Sequence, residues 1–189
     1  DTSWALRANP SSGNLHPTEL TLVAPAIEGV SEQPGIYHYA PRDHGLERLQ
    51  APSTASLAAL VGNGTSFLAI LSSVHWRESW KYGERAYRYC QHDVGHAIAA
   101  LTYAAAALGW RATLVEELGT DELALWLGTA QTSGPEYEAP DVLIRIETAD
   151  GASATPEKPC VPTNPVQWIG QPSDLSPDHL DWFAIDAVS

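Results

Sequence analysis

The 189 residues predict an α+β fold, a layered domain built on a mixed sheet. Three observations carry this. The run SFLAILSSV, residues 66–74, is almost continuously apolar, as in a strand covered on both faces. From Asp93 to Leu108, the residues Val94, Ala97, Ile98, Leu101, Ala105 and Leu108 fall on one helical stripe, with alanines on much of the remaining surface. Around these two lie shorter signals, in the order strand, hairpin, helix, strand, long helix, strand, helix, strand.

Each element has its own grounds. Glu19–Ala24 reads as a strand that stops at Pro25, and residues 26–35, with Gly29, Pro34 and Gly35, read as a loop. GIYHYAP (35–41) alternates as a strand does, and GLERL (45–49) is its hairpin partner, so His38 and His44 flank a hairpin and are expected to be exposed. Ser53 or Thr54 caps a short helix running to Leu60, ended by GNG. The long helix can pack closely on several sides because its side chains are small, and Gly109 ends it. WRATLVEEL (110–118) is a strand, Thr120–Leu127 a helix closed by Gly128, and DVLIRIET (141–148) the last strand. Residues 149–175, rich in Pro, Ser, Thr and Gly, read as an arm or linker. Ser176 and Pro177 then open an amphipathic helix over 176–189, whose Leu180, Trp182, Phe183, Ile185 and Val188 face this core, a partner subunit or a following domain.

The formal net charge of −13 repels phosphates, which argues against nucleic acid and against an anionic membrane surface as partners. No apolar run is long enough to span a bilayer and nothing resembles a signal peptide, so the expected location is the cytoplasm. Cys90 and Cys160 form no metal-spaced motif and read as free thiols, one of them buried, with a disulfide as the alternative. The chain holds no methionine and opens on Asp1, which leads us to expect a processed piece or part of a longer protein.

Two stretches carry chemistry. In RANPSSGNLHPTEL (7–20), hydroxyls and an amide crowd ahead of a buried strand, and Gly13 lets a flat ligand approach the backbone. The plainer alternative is a turn whose Ser and Asn side chains satisfy their own backbone. In RESWKYGERAYRY (77–89), Arg77, Lys81, Arg85 and Arg88 would share one face of a helix, interleaved with Trp and Tyr. That suits an anionic, aromatic ligand; an ordinary solvated face is the even alternative, and Gly83 weakens the helix. Lys81 and Tyr82 could do acid–base work. His92 and His96 stand four apart, but a third ligand is missing, so no metal site is expected and both read as packing residues, His96 buried; Asp93 reads as a helix cap.

RANPSSGNLHPTELTLVA, GIYHYAPRDHGLERL and WKYGERAYRYCQHDVGHAIAALTYAAAALGW, in that order, resemble the nitroreductase-like flavoprotein superfamily over residues 5–148. They are most similar to its azoline-oxidising dehydrogenases, which make thiazoles and oxazoles in modified peptides. The resemblance implies a nitroreductase-like fold over 1–148 with a largely antiparallel central sheet, and FMN held between two such domains in a homodimer or pseudo-dimer. It implies that Ser11, Ser12, Gly13 and Asn14 line the flavin, that Arg7 meets its phosphate or pyrimidine edge, and that His16 stands where relatives often have Gln. Lys81 and Tyr82 match the pair assigned to proton removal while flavin N5 takes a hydride from a small-molecule or peptide-borne substrate. Arg85 and Arg88 become cofactor or substrate contacts, or supports of the helix. The chain departs in lacking the N-terminal helices with their Arg-rich motif, and in carrying the Pro-rich arm and LSPDHLDWFAIDAV. One half of a tandem flavoprotein is therefore expected; the alternative is a degenerate domain that serves dimerisation or peptide binding without catalysis.

Overall fold

The structure is a computed structural model that describes residues 7–29, 32–49, 65–129, 134, 136–149, 161–162 and 176–189. The expected helix over 53–60, Cys160 and nearly all of the arm lie outside these residues. Six strands are β1 (Thr18–Ala24), β2 (Gly35–Ala40), β3 (Gly45–Leu49), β4 (Ser66–Val74), β5 (Arg111–Val115) and β6 (Glu138–Glu147). They form one sheet in the order β3-β2-β1-β4-β6-β5. Every pairing is antiparallel, so among the described strands the sheet is not mixed.

β4 sits near the centre, between β1 and β6. Its alternating side chains supply two cores. Leu68 and Ile70 join Val23, Ile36 and Leu143 on one face, under Leu123, Trp126 and Leu127 of helix α3 (Thr120–Leu127). Ala69 and Leu71 join Ile144 and Ile146 on the other, under Val94, Ala97 and Ala105 of the long helix α2 (Ala86–Ala107). Burial on both faces is why the strand's sequence shows no polar alternation. The last strand starts earlier than DVLIRIET suggests. Pro140 enters it because the register shifts between Leu71 and Ser72, opposite Val142 and Pro140, and a proline without an N–H is tolerated at such a bulge.

The long helix starts seven residues before the expected Asp93. Ala86 and Cys90 are wholly buried and extend its core stripe toward the N-terminus. Asp93 is thus an interior helix residue, 1% exposed, and not a cap. Upstream lies a separate helix α1 (Trp76–Tyr82), and Gly83, with φ +61° and ψ −144°, breaks the chain between them. A 3-10 turn over Gly83–Arg85 then leads into α2. Arg77 and Lys81 on α1 therefore share no continuous face with Arg85 and Arg88. The outer side of α2 is open: Tyr103, Leu108, Ala99, Ala104, Ala106 and Ala107 are exposed, so the helix is buried on one side only. His92 and His96 are exposed too, which corrects the packing role expected of them.

The C-terminal helix is much shorter than its sequence pattern, spanning only α4 (Phe183–Asp186). The Ser176 hydroxyl donates to the Asp178 carbonyl and accepts from its N–H, closing a local turn instead of capping a helix. Glu136 takes both the Ser176 N–H and the His179 ring nitrogen, and Trp76 packs against the His179 ring. These contacts hold the segment extended across α1. Ile185 is buried, while Leu180, Phe183 and Val188 remain exposed. No helix among the described residues is long and apolar enough to cross a membrane.

Candidate functional site

The polar loop and the Lys-Tyr pair, almost seventy residues apart in sequence, meet in space. Ser12–Asn14 form a 3-10 turn ahead of β1, with Gly13 at φ +61°. A methyl group added to Gly13 would stand 2.5 Å from the Tyr82 hydroxyl and 2.7 Å from Lys81 Nζ and would displace both side-chain ends, while the positive φ itself favours glycine. Lys81 Nζ lies 5.2 Å from the centre of the Tyr82 ring, whose other neighbour is the edge-on ring of Tyr89. Gly13, Asn14 and Lys81 are all exposed, so the cluster forms one open wall and no enclosed pocket.

The loop is held in an unusual shape. Asn14 (φ +59°) and His16 (φ +50°) lie in the left-handed region that side chains disfavour, at a cost of about 1–3 kcal/mol each for a non-glycine residue. Four interactions offset this. Ser11 Oγ accepts the His16 N–H at 2.9 Å, and Asn14 Oδ1 pairs with His16 Nε2 at 2.9 Å. Asp93 Oδ1 accepts the Ser12 N–H at 3.2 Å from across the domain, and Arg77 Nη1 donates to the His16 carbonyl at 3.2 Å. Ser11 Oγ and His16 Nε2 are thereby engaged within the loop itself. Among the described residues, Ser12 Oγ, the Asn14 side-chain NH2 and the Lys81 amine are left as groups that a ligand can use.

A charged network underlies the loop. Glu19 enters β1 among apolar neighbours, and its two oxygens are both taken, one by Arg77 Nη1 and the other by His38 Nε2. The second nitrogen of His38 meets Glu47 at 2.9 Å. The hydrogen bond to Glu19 raises His38 to about 9, against the desolvation that opposes it, so the ring is protonated at neutral pH. Burial would lift the Glu19 carboxyl, but His38 and Arg77 hold it below its ordinary value. His38 is therefore half-buried and ion-paired, contrary to the exposure expected of it. Beneath α1, Glu78 is wholly buried with neither oxygen hydrogen-bonded among the described residues. Burial, with Asp93 nearby, raises it to about 7. Desolvation in the same region pushes the Cys90 thiol far up, so this buried thiol is inert.

Beside the loop opens a cleft of about 890 Å3. Arg7 and His16 line it together with the turn of the β2–β3 hairpin, Trp76, Arg77 and Trp80 of α1, and Ser176. Arg7 thus faces this cleft, while Lys81 and Tyr82 sit at Gly13. Arg85 and Arg88 are exposed where α2 begins, with Arg88 over the Tyr89 ring at 5.8 Å, and no contact among the described residues joins either to the loop. Sequence reasoning missed Glu19, Arg77, Glu78 and Asp93 as supports of the site. The signal available was a charged residue placed on a core face: Glu19 within TELTLVA, and Asp93 one turn after Cys90.

The sequence profile of the nitroreductase family matches residues 3–137. The protein MJ1384 of Methanocaldococcus jannaschii, named for the nitroreductases, is 29% identical over 106 residues, covering 53% of this chain and 52% of its own. The trifolitoxin-processing protein TfxB of Rhizobium leguminosarum bv. trifolii is 32% identical over 114 residues, 54% of this chain and 30% of its own. The chain thus spans about half or less of the curated relatives it matches. Among solved structures, a nitroreductase-named protein of Anabaena variabilis superposes with a TM-score of 0.64 at 24% identity, over 89% of this chain and 34% of that one. A chain of the Escherichia coli microcin synthetase McbBCD complex, solved with truncated pro-MccB17 bound, superposes at 0.60 and 21% identity, over 78% and 57%.

Proposed function

This chain belongs to the nitroreductase family, and on that premise we propose that it is an FMN-dependent oxidoreductase of the azoline-oxidising kind, acting on a peptide-borne or small-molecule substrate. The observation that carries the reading is the meeting of Gly13 with Lys81 and Tyr82 at an exposed wall. The fit to FMN rests on this chain's own groups. A left-handed glycine gives a flat ring access to the backbone, and Ser12 Oγ and the Asn14 amide are free to meet its polar edge. When bound, FMN would supply a two-electron acceptor for a C–H bond of the substrate.

The chain's residues supply the rest. Lys81, exposed beside the Tyr82 hydroxyl, takes a proton from the substrate atom next to the one oxidised, and Tyr82 shares it through its hydroxyl. Asp93 and Arg77 fix the loop against α2 and α1, so the ring edge and the base keep one spacing. The wall is open in a single chain, so its opposite side comes from a second domain of the same kind, in a homodimer or a pseudo-dimer. Lys81→Ala is expected to retain FMN, read from its absorbance, while substrate oxidation falls by 100-fold or more, the scale of a lost general base. Unchanged turnover would remove Lys81 from the chemistry. A chain that takes up no FMN yet still dimerises would favour the scaffold reading.

A further inference from the structure

We infer that the cleft between the β2–β3 hairpin and α1 binds a carboxylate-bearing peptide segment, gripped by Arg7 and Arg42 and laid against Trp76 and Trp80. The inference rests on the reading that substrate is oxidised beside the loop, and it names what that substrate carries.

With Asp43 counted among its lining, the cleft carries one positive charge in excess, and two of its guanidiniums stand outside its ion-pair network. Glu19 is saturated by Arg77 and His38, and His38 is in turn shared with Glu47. Those four groups balance one another in charge. Arg7 and Arg42 have no hydrogen-bond or ion-pair partner among the described residues, and both line the cleft. Arg42 stands exposed at the hairpin turn, whereas Arg7 is half-buried and burial already disfavours its charge. A desolvated guanidinium whose N–H groups meet no acceptor among the described residues matches the two oxygens of a carboxylate.

The wider distribution of charge agrees. The chain carries 23 acidic residues against 10 Lys and Arg. The cleft reverses this, with Arg7, Arg42, Arg77 and protonated His38 facing Glu19, Asp43 and Glu47. In a protein of net charge −13 an anion is driven off most of the surface and concentrated here. The walls exclude a lone ion as the intended guest. Trp76, Trp80, Leu15 and Pro41 give the cleft an apolar lining, and about 890 Å3 holds several residues of an extended chain. Trp80 is 56% exposed, with its indole N–H bonded to the Arg77 carbonyl at 2.9 Å, so its ring is held in place and still available. His16 belongs both to the cleft wall and to the loop. A peptide in the cleft therefore runs along the loop that meets Lys81.

The test needs no turnover. A blocked tetrapeptide of two leucines and two glutamates is titrated against the chain, with tryptophan fluorescence as the readout. Its glutamine counterpart serves as the neutral probe. The glutamate peptide should saturate the signal, with the glutamine peptide bound at least tenfold more weakly. Arg7→Gln should weaken the glutamate peptide tenfold or more, Arg42→Gln less, and Arg48→Gln, exposed on β3 outside the cleft, not at all. Circular dichroism checks that each variant is folded. Equal binding of both peptides, or indifference to Arg7→Gln, overturns the proposal. Displacement of the peptide by inorganic phosphate, together with loss of FMN uptake in Arg7→Gln, also overturns it and assigns Arg7 to the cofactor's phosphate. If substrate oxidation fails while the acidic peptide still binds, the functional reading falls and the cleft stands.

Discussion

Glu78 and His38 pull the stability of the domain in one direction as pH rises. The folded state holds a proton on Glu78 up to about 7, well above an ordinary glutamate, because its carboxyl is buried without a partner. The folded state binds more protons there, so stability falls between about pH 4.5 and 7 and is level above. His38 contributes stability that is complete below about 6.5 and is lost as pH climbs through about 9. Each shift is worth roughly 3 kcal/mol. Glu78→Gln should therefore leave the protein more stable than wild type at pH 8 and little changed at pH 5, as read from urea midpoints. Equal gains at both pH values would place the effect in packing and not in charge. Individual site residues were partly legible: the glycine, the amide and the Lys-Tyr pair announce themselves by type and order. Glu19 and Asp93 did not, because a carboxylate's role depends on which cation or N–H the fold brings to it from as far as 81 residues away, and Glu78 did not, because only the packing of the fold buries it.

At the scale of elements, Gly83 decides more than its flanking sequence suggests. Its left-handed φ ends α1, and a methyl group there would come within 3.1 Å of the Trp182 ring. The glycine thus aims Lys81 and Tyr82 at the loop and also seats the C-terminal segment. Gly83→Ala should cost about 1–3 kcal/mol, lower the melting temperature and alter Trp182 fluorescence; a variant with wild-type stability would show that the break is not needed. The strands, the hairpin and α3 were legible because a continuous apolar run, short alternating runs and a left-handed glycine at 128 are local signals. The helix expected over 176–189 shrinks to four residues because contacts with Glu136 override the local pattern, whereas the break at Gly83, a glycine that already weakened a helix over 77–89, is local.

For the whole molecule, the sheet bears a helix on each face, yet α2 leaves one side bare. Tyr103 is 78% exposed and Leu108 61%, with small alanines between them. A second domain seated on that side is the proposed source of the missing wall. Ala104→Glu places a charge within it and should convert dimers to monomers in sedimentation while circular dichroism is unchanged; a persistent dimer would move the interface elsewhere. The fold class was legible as α+β, but the all-antiparallel pairing was not, since strand direction depends on connections that hydrophobic periodicity does not encode. The bare face was likewise hidden, because alanines that pack and alanines that face solvent read alike.

The central claim is that the loop at Gly13 and the pair Lys81–Tyr82 form one wall of a flavin site. Its most direct test is an FMN absorbance titration of wild type beside Gly13→Ala, whose methyl would strike the Tyr82 hydroxyl and the Lys81 amine. The account predicts a saturable shift of the flavin bands with wild type, and binding weakened tenfold or more in a Gly13→Ala chain that is still folded. FMN uptake indifferent to the substitution, or no uptake by the wild-type protein, would contradict it.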